Sequence, residues 1–414
     1  MTYGKIAVEY EERINFDRMR KEKTERVRTL AKERGLEGIL TLDSLNTMYI
    51  TTGRGIGAVR YAFLPLNAEP VLFEAGWYED FCRMTRPWLK VKCMIPAVGL
   101  FRGKMPRNAY EHQLQKFARQ IRDEVKDHGL FKETIGIDTS DNEVVTALQK
   151  EGLKISTEGS TVMREAREIK TRDEVECFRT LASIIDGCFE EVKRAIRPGT
   201  REDQLIAIIA YTGYMLGAHE VAAASFRSGP RTWAGGGSAV GFSDRTIRPG
   251  DLVYMDISRM SYQGYRSCIY RTFSCGKPTQ RQKEAYVQVK EWLYDAIKSI
   301  RPGATSKDLA EKWPEAREFG RPNEDGAILM QFAHGLGLEN HEGPFITRAW
   351  SLEHPYPIKE DMVLAVETVG PTNEMTSDYP NGQAVRLEEM VHVTKTGYEV
   401  LSKWPISEMT VCEF

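Results

Sequence analysis

The feature that most restricts what this chain can fold into is an internal repeat. The segment RPGTREDQL at 197–205 returns as RPGATSKDL at 301–309, each time after a long amphipathic pattern and before another helical one. Further along, IRPGDLVYMD at 247–256 is echoed by IKEDMVLAVE at 358–367, so the two series keep their order. One RPG is only a common turn, but two parallel series indicate a duplicated unit. Each copy reads as helix, turn, helix and then a strand ending in a carboxylate, Asp256 or Glu367. Two such α+β units packed about a pseudo-twofold axis would bring the two carboxylates together at the centre of one domain.

The first part of the chain has a different grammar. Apolar residues at helical spacing (Ile14, Phe16, Met19, Val27, Leu30, Ala31) stop at Gly35. GILTLD (38–43) and TMYITTG (47–53) read as short strands, AFLPLNAEPVLFEAG as strand–turn–strand, HQLQKFARQIRDEVKDHG as a helix and TIGIDT as a strand. Strands alternating with helices predict an α/β domain over residues 1–160, with the duplicated α+β domain over 161–414. The stretch TEGSTVMREAREIKTRDE reads as a charged connector into a long helix, VECFRTLASIIDGCFEEVKRAI.

A net charge of −2 with interleaved signs gives no footprint for nucleic acid or an anionic membrane. Seven cysteines, odd in number and without a CxxC pair, suggest neither a zinc ribbon nor a disulfide framework. The charged N-terminus does not read as a signal peptide, and no apolar run reaches membrane-spanning length. The expectation is a cytoplasmic protein with no nucleic-acid or membrane partner.

Candidate catalytic groups cluster between residues 250 and 390: Asp256, Cys268, His334 and His341 in HGLGLENHEGP, Glu367, and Glu388 in AVRLEEMVHVT. A carboxylate ending an apolar strand is costly unless it is paired, hydrogen-bonded or metal-bound. Taken singly, Asp256 or Glu367 could pair with an arginine such as Arg271 or Arg386, and Cys268 reads as a small buried hydrophobe. Two repeat-related carboxylates, a glycine-flanked histidine and Glu388 together favour a site.

In these segments the chain resembles the pita-bread superfamily of creatinase, prolidase and methionine aminopeptidase. RPGDLVYMDIS, GYRSCIYRTFSCG, HGLGLENHEGP, MVLAVE and VRLEEMVHVTKTGYEVLS follow its signature segments in order over roughly 160–410, and LNTMYITTG more loosely resembles its N-terminal domain. In the superfamily's metallopeptidases two aspartates, a histidine and two glutamates hold two metals. The resemblance places these on Asp256, His334, Glu367 and Glu388, with Cys268 at the second aspartate. His341 matches the substrate-contacting histidine, whereas GGGSAVGFSDRTIRPGD lacks the histidine that precedes the GD strand in peptidases and creatinase.

A lone thiolate cannot bridge two hard ions as a carboxylate does, though it can ligate a softer one. A dinuclear manganese site is therefore not expected. The site is expected to hold no metal, or a single Zn²⁺ or Fe on Cys268, His334, Glu367 and Glu388. SFRSGPRT (225–232) and the closing segment resemble dimethylsulfoniopropionate lyase, whose metal-binding aspartates fall here on Ser258 and Cys268. With creatinase and ectoine hydrolase, this implies a hydrolase or lyase cleaving a C–N or C–S bond in a small cationic or zwitterionic carboxylate. His334, His341, Glu367 and Glu388 would supply acid–base chemistry, with Cys268 a minor candidate for nucleophile. Asp256, Trp233, Tyr265 and Arg231 would bind substrate, and Tyr262, Tyr270, Trp350 and Tyr379 are further aromatic candidates for cation–π contact. The alternatives are a metal-dependent Xaa-Pro dipeptidase with a modified metal site, or a non-catalytic pita-bread binding module. Homodimerisation is implied by the resemblance alone.

Overall fold

The computed structural model describes residues 13–52, 60–222, 225–233, 241–372 and 382–414. Tyr379 and most of the GGGSAVG segment lie outside the described residues. The chain divides into two compact units, Asn15–Arg167 and Glu168–Phe414.

The first unit is built on a six-stranded mixed sheet: β1 (Gly38–Thr41), β2 (Tyr61–Pro65), β3 (Val71–Glu74), β4 (Lys90–Cys93), β5 (Thr134–Ile137) and β6 (Lys154–Ser156), in the order β4-β3-β2-β1-β5-β6. β1 to β3 are fully buried, which is why they read as unbroken apolar runs. Their core is closed by Tyr110, Leu114, Phe117 and Ile121 from the helix Arg107–Asp127. Over its described residues, the strand expected at 47–53 is instead the end of a helix, Ser44–Thr51, and its C-cap Thr52. Asp43 caps it, accepting from the amides of Leu45 and Asn46, and this cap outweighs the β-prone TMYIT composition. The charged connector is likewise a helix, Gly159–Glu168. A second helix, Arg172–Ala195, then starts in a capping box between Thr171 and Glu174.

The second unit holds β7 (Glu220–Val221), β8 (Ser225–Ser228), β9 (Leu252–Asp256), β10 (Met260–Tyr262), β11 (Tyr265–Arg266), β12 (Tyr270–Cys275), β13 (Gln331–Gly335), β14 (Glu342–Ile346), β15 (Val363–Pro371), β16 (Ala384–Thr394), β17 (Gly397–Val400) and β18 (Thr410–Cys412). Two sheets carry the repeat, β18-β12-β9-β8 and β14-β13-β15-β16-β17. This is the pita-bread architecture, and its duplication is visible bond by bond. Gly199 N donates to Ile247 O, and Gly303 N donates to Ile358 O. Gly250 N donates to Cys275 O just as Asp361 N donates to Val393 O, and Cys275 N to Asp251 O just as Val393 N to Met362 O. The tight turn before the carboxylate strand needs a left-handed residue. It is Gly250 (φ 82°) in one copy and Asp361 (φ 64°) in the other.

At the seam between copies, Arg271 of β12 meets Glu389 of β16 at 2.8 Å, and both side chains are buried. Thr272 Oγ1 donates to Arg386 O and accepts from Arg386 N, so the two strands are also joined side chain to backbone. The apolar core of the second copy runs between the helix Gln280–Lys298 (Val289, Leu293, Ile297) and the inward faces of β15 and β16 (Leu364, Val366, Leu387, Val391).

Candidate active site

Two cross-strand pairs deliver the polar groups. Asp256 of β9 stands opposite Tyr270 of β12, and Glu367 of β15 stands opposite Glu388 of β16. Side chains alternate faces along a strand, so Glu388 turns to the site while its neighbour Glu389 turns to Arg271. His334 on β13 pairs with Ala365 of β15, which brings its ring beside Glu367. The register shifts after His334, where Gly335 packs directly against the Gly343 carbonyl with no room for a side chain.

The result is a ring of donor atoms. His334 Nε2 lies 3.6 Å from Glu367 Oε1 and 4.0 Å from Glu388 Oε1. Ligand atoms of His334, Glu367 and Glu388 all fall within 4.8 Å of one another, as do those of Asp256, Cys268 and Glu388, and those of Cys268, His334 and His341. His334 Nδ1 sits 3.0 Å from Gly335 O. A carbonyl only accepts, so the proton is on Nδ1 and Nε2 presents a bare lone pair. Tyr270 donates its hydroxyl to Glu367 Oε2 at 2.7 Å, and Tyr254 donates to Asp256 Oδ2 at 3.1 Å. His334 Nε2, Asp256 Oδ1 and both carboxylate oxygens of Glu388 have no hydrogen-bond partner although they are buried. Orphaned buried acceptors on this scale are costly without a cation among them.

The electrostatics agree. Burial, then the neighbouring Glu367 and Asp256, holds the Glu388 carboxyl well above the usual range. Burial is also the main cause that pushes Glu367 up to about 8 and Asp256 up to about 6. Burial, then His341, pulls His334 down to about 3. With the imidazole held neutral, the His334–Glu367 approach is not an ion pair. The Cys268 thiol is likewise raised, by burial and then by Glu388, Asp256 and Glu367. Neutral imidazole plus crowded carboxylates is the state a divalent ion would find and compensate, so these residues fit a metal.

Beside the ring opens a cavity of about 480 Å³, lined among others by Tyr254, Asp256, Arg259, Phe332, His341 and Arg386. His341 is the exposed member of the cluster, its ring centroid 4.2 Å from that of His334. Arg386 is held by its Nε bond to Thr232 O at 3.2 Å and by the face of Tyr254, 5.2 Å away.

The sequence-expected residues divide cleanly. Asp256, Cys268, His334, His341, Glu367 and Glu388 come together. Trp233 does not line the cavity; it packs with Phe319, Val369 and Ala384. Tyr265 is buried against Phe178, donating to Glu174 Oε1 at 2.9 Å. Arg231 is taken by Glu202, 3.2 Å away. Tyr262 stacks on His219, and Trp350 donates to Phe345 O. Each was chosen for lying in a motif loop, and proximity in sequence did not decide where its side chain points. The cavity also holds Tyr254, which lies outside the sequence-expected set, and Arg386, expected only as an ion-pair partner. Both sit two residues before a site carboxylate on the same strand face, a period-2 signal that could have found them.

The metallopeptidase family M24 model matches residues 176–395. A Xaa-Pro dipeptidase of Pyrococcus furiosus is 31% identical over 275 residues, spanning 66% of this chain and 74% of that protein. Another, from Pyrococcus horikoshii, is 30% identical over 62% of this chain and 68% of its own length. Among solved structures, an X-Pro aminopeptidase from Thermotoga maritima superposes with TM-score 0.73 at 23% identity, covering 94% of this chain and 99% of that one.

These relatives overturn the expected creatinase- or lyase-type cleavage of a small zwitterion, and with it the lyase and creatinase-like descriptions. The geometry gives the physical reason. Donor atoms within 4.8 Å of one another are spaced as ligands of one ion would be. Of the aromatic candidates within the described residues, only Tyr270 lines the cavity. Also among the described residues, no helix is long and apolar enough to cross a membrane.

Proposed function

We infer the reaction from one premise: the chain belongs to metallopeptidase family M24. On that premise the protein is a metal-dependent peptidase acting on short peptides, of the Xaa-Pro dipeptidase kind, and cleaves the amide bond before proline. The observation that carries this reading is the convergence of His334, Glu367 and Glu388 on one ion-sized space beside a cavity of about 480 Å³.

A divalent cation held by His334, Glu367 and Glu388 would polarise the scissile carbonyl and acidify a water molecule. The chain's own residues do the rest. Tyr270 pins one oxygen of Glu367 and leaves the other for the ion. Arg386 and Arg259 place positive charge in the cavity, where a peptide's terminal carboxylate is recognised. His341 faces that cavity, and burial, then the nearby Arg259, favour its neutral ring. Its ring nitrogen takes a proton from the attacking water and returns it to the departing proline nitrogen.

The test is release of free proline from Gly-Pro and Met-Pro, with Gly-Gly as control, by protein dialysed against EDTA and reloaded with Mn²⁺, Co²⁺ or Zn²⁺. Metal-dependent hydrolysis that is lost in His334→Ala is expected. Absence of turnover on every Xaa-Pro dipeptide under every metal removes the reading.

A further inference from the structure

We propose that Cys268 is itself a metal ligand, and that the centre is a single-ion, thiolate-containing site built from Cys268, His334, Glu367 and Glu388 that selects a thiophilic ion such as Zn²⁺. The proposal rests on the peptidase reading for the ion's catalytic purpose, but not for its ligands.

Cys268 lies in the turn between β11 and β12, where its neighbours Ser267 and Ile269 are fixed by backbone bonds to Arg259 and Ile257. Its side chain is buried, and Glu388, Asp256 and Glu367 stand close enough to act on its thiol. Its sulfur is within 4.8 Å of a ligand atom of Glu388 and Asp256 in one group, and of His334 and His341 in another. Cys268 therefore joins the His334, Glu367 and Glu388 set through two of its members, His334 and Glu388.

The second, independent observation is the set of orphaned acceptors around the thiol. His334 Nε2 has no hydrogen-bond partner, and the oxygens of Glu388 have none beyond the adjacent Cys268 thiol, each on a completely buried side chain. One sulfur, one imidazole nitrogen and two carboxylates make a four-donor set of the kind that suits Zn²⁺. An oxygen-preferring ion such as Mn²⁺ or Mg²⁺ gains little from a thiolate. A thiolate among the donors weakens the site's preference for a pair of hard, oxygen-seeking ions. Loading is balanced simply: the thiol gives up its proton to solvent as the metal–sulfur bond forms.

The experiment uses the intact protein, stripped with EDTA and titrated with Zn²⁺, Mn²⁺ or Co²⁺ alone. One Zn²⁺ per chain is expected by elemental analysis. With Co²⁺, a near-ultraviolet sulfur-to-cobalt absorption should appear and be absent in Cys268→Ser. Zn²⁺ affinity should fall by about 100-fold or more in that variant, since even residues that merely orient ligands are worth roughly 10- to 100-fold. Cys268→Asp, which restores an oxygen donor, should bind Mn²⁺ better than the parent does. Two ions per chain, a cobalt complex without the sulfur band, or Zn²⁺ binding unchanged in Cys268→Ser would each overturn the proposal. A sulfur band with no dipeptide hydrolysis would instead sink the peptidase reading and leave this one standing.

Discussion

Replacing Arg271 by methionine tests whether the seam between the two repeats holds the site in place. The guanidinium is buried, and its bonds account for most of its donors. Nη2 reaches Glu389 Oε2 at 2.8 Å and Ser402 Oγ at 3.2 Å, while Nη1 reaches Tyr270 O at 3.0 Å and also Glu388 O. Methionine fills the space but leaves Glu389 with only the Tyr294 hydroxyl, 3.1 Å away, and frees two buried carbonyls. Breaking a buried pair by removing one partner costs ~3–5 kcal/mol. For a unit of this size that lowers the unfolding transition by roughly 6–20 °C. Burial already raises the Glu389 carboxyl, and Arg271 opposes the rise. Without Arg271 the group sits higher still, so the folded variant takes up a proton that the unfolded chain does not. Its deficit must therefore shrink as pH falls through that raised value. Differential scanning calorimetry of parent, Arg271→Met, Glu389→Leu and the double variant at pH 5 and pH 8 measures this. The double variant should recover much of the single variant's loss, because no charge is left stranded. A loss below about 1 kcal/mol for Arg271→Met, or strict additivity in the cycle, would refute the reasoning.

Glu388→Gln should abolish metal-dependent hydrolysis yet raise the melting temperature of the metal-free protein, because it removes a buried carboxylate without a hydrogen bond; a lower metal-free melting temperature argues against the crowding. Gly335→Ala would drive a Cβ into the Gly343 carbonyl at the bulge beside His334. It should cost about 1–3 kcal/mol and weaken Zn²⁺ binding, both readable by melting with and without the ion. In the first unit, Asp138 accepts from the amides of Leu42 and Asp43 and from Asn46, yet burial pushes its carboxyl up to about 6 from an ordinary 3.8. Stability from this group is therefore greatest below pH 4 and is lost as pH rises through 6. The parent should gain up to about 3 kcal/mol on Asp138→Asn between pH 8 and pH 4, and a difference constant across that range rejects the assignment.

The sequence by itself determined the duplication, the carboxylate-ended strands and the six residues that converge, because a repeat in register and a charge at the end of an apolar strand are local signals. The same signals assigned the buried strands β1 to β3, whose runs are mostly apolar. They failed at 47–53, where one capping carboxylate, Asp43, settled a segment whose composition favours a strand. They failed again at Trp233, Tyr265 and Arg231, since a motif loop fixes a residue's neighbourhood but only packing fixes where its side chain points. Tertiary structure alone decided that the acidic groups close on a volume fit for an ion. Pooling those charges depends on setting the β9–β12 pair against the β15–β16 pair, where Arg271 meets Glu389 and Thr272 meets Arg386, 118 and 114 residues away in the chain. No short window of sequence contains those contacts between the repeats, and their energy is realised only when both repeats are folded together.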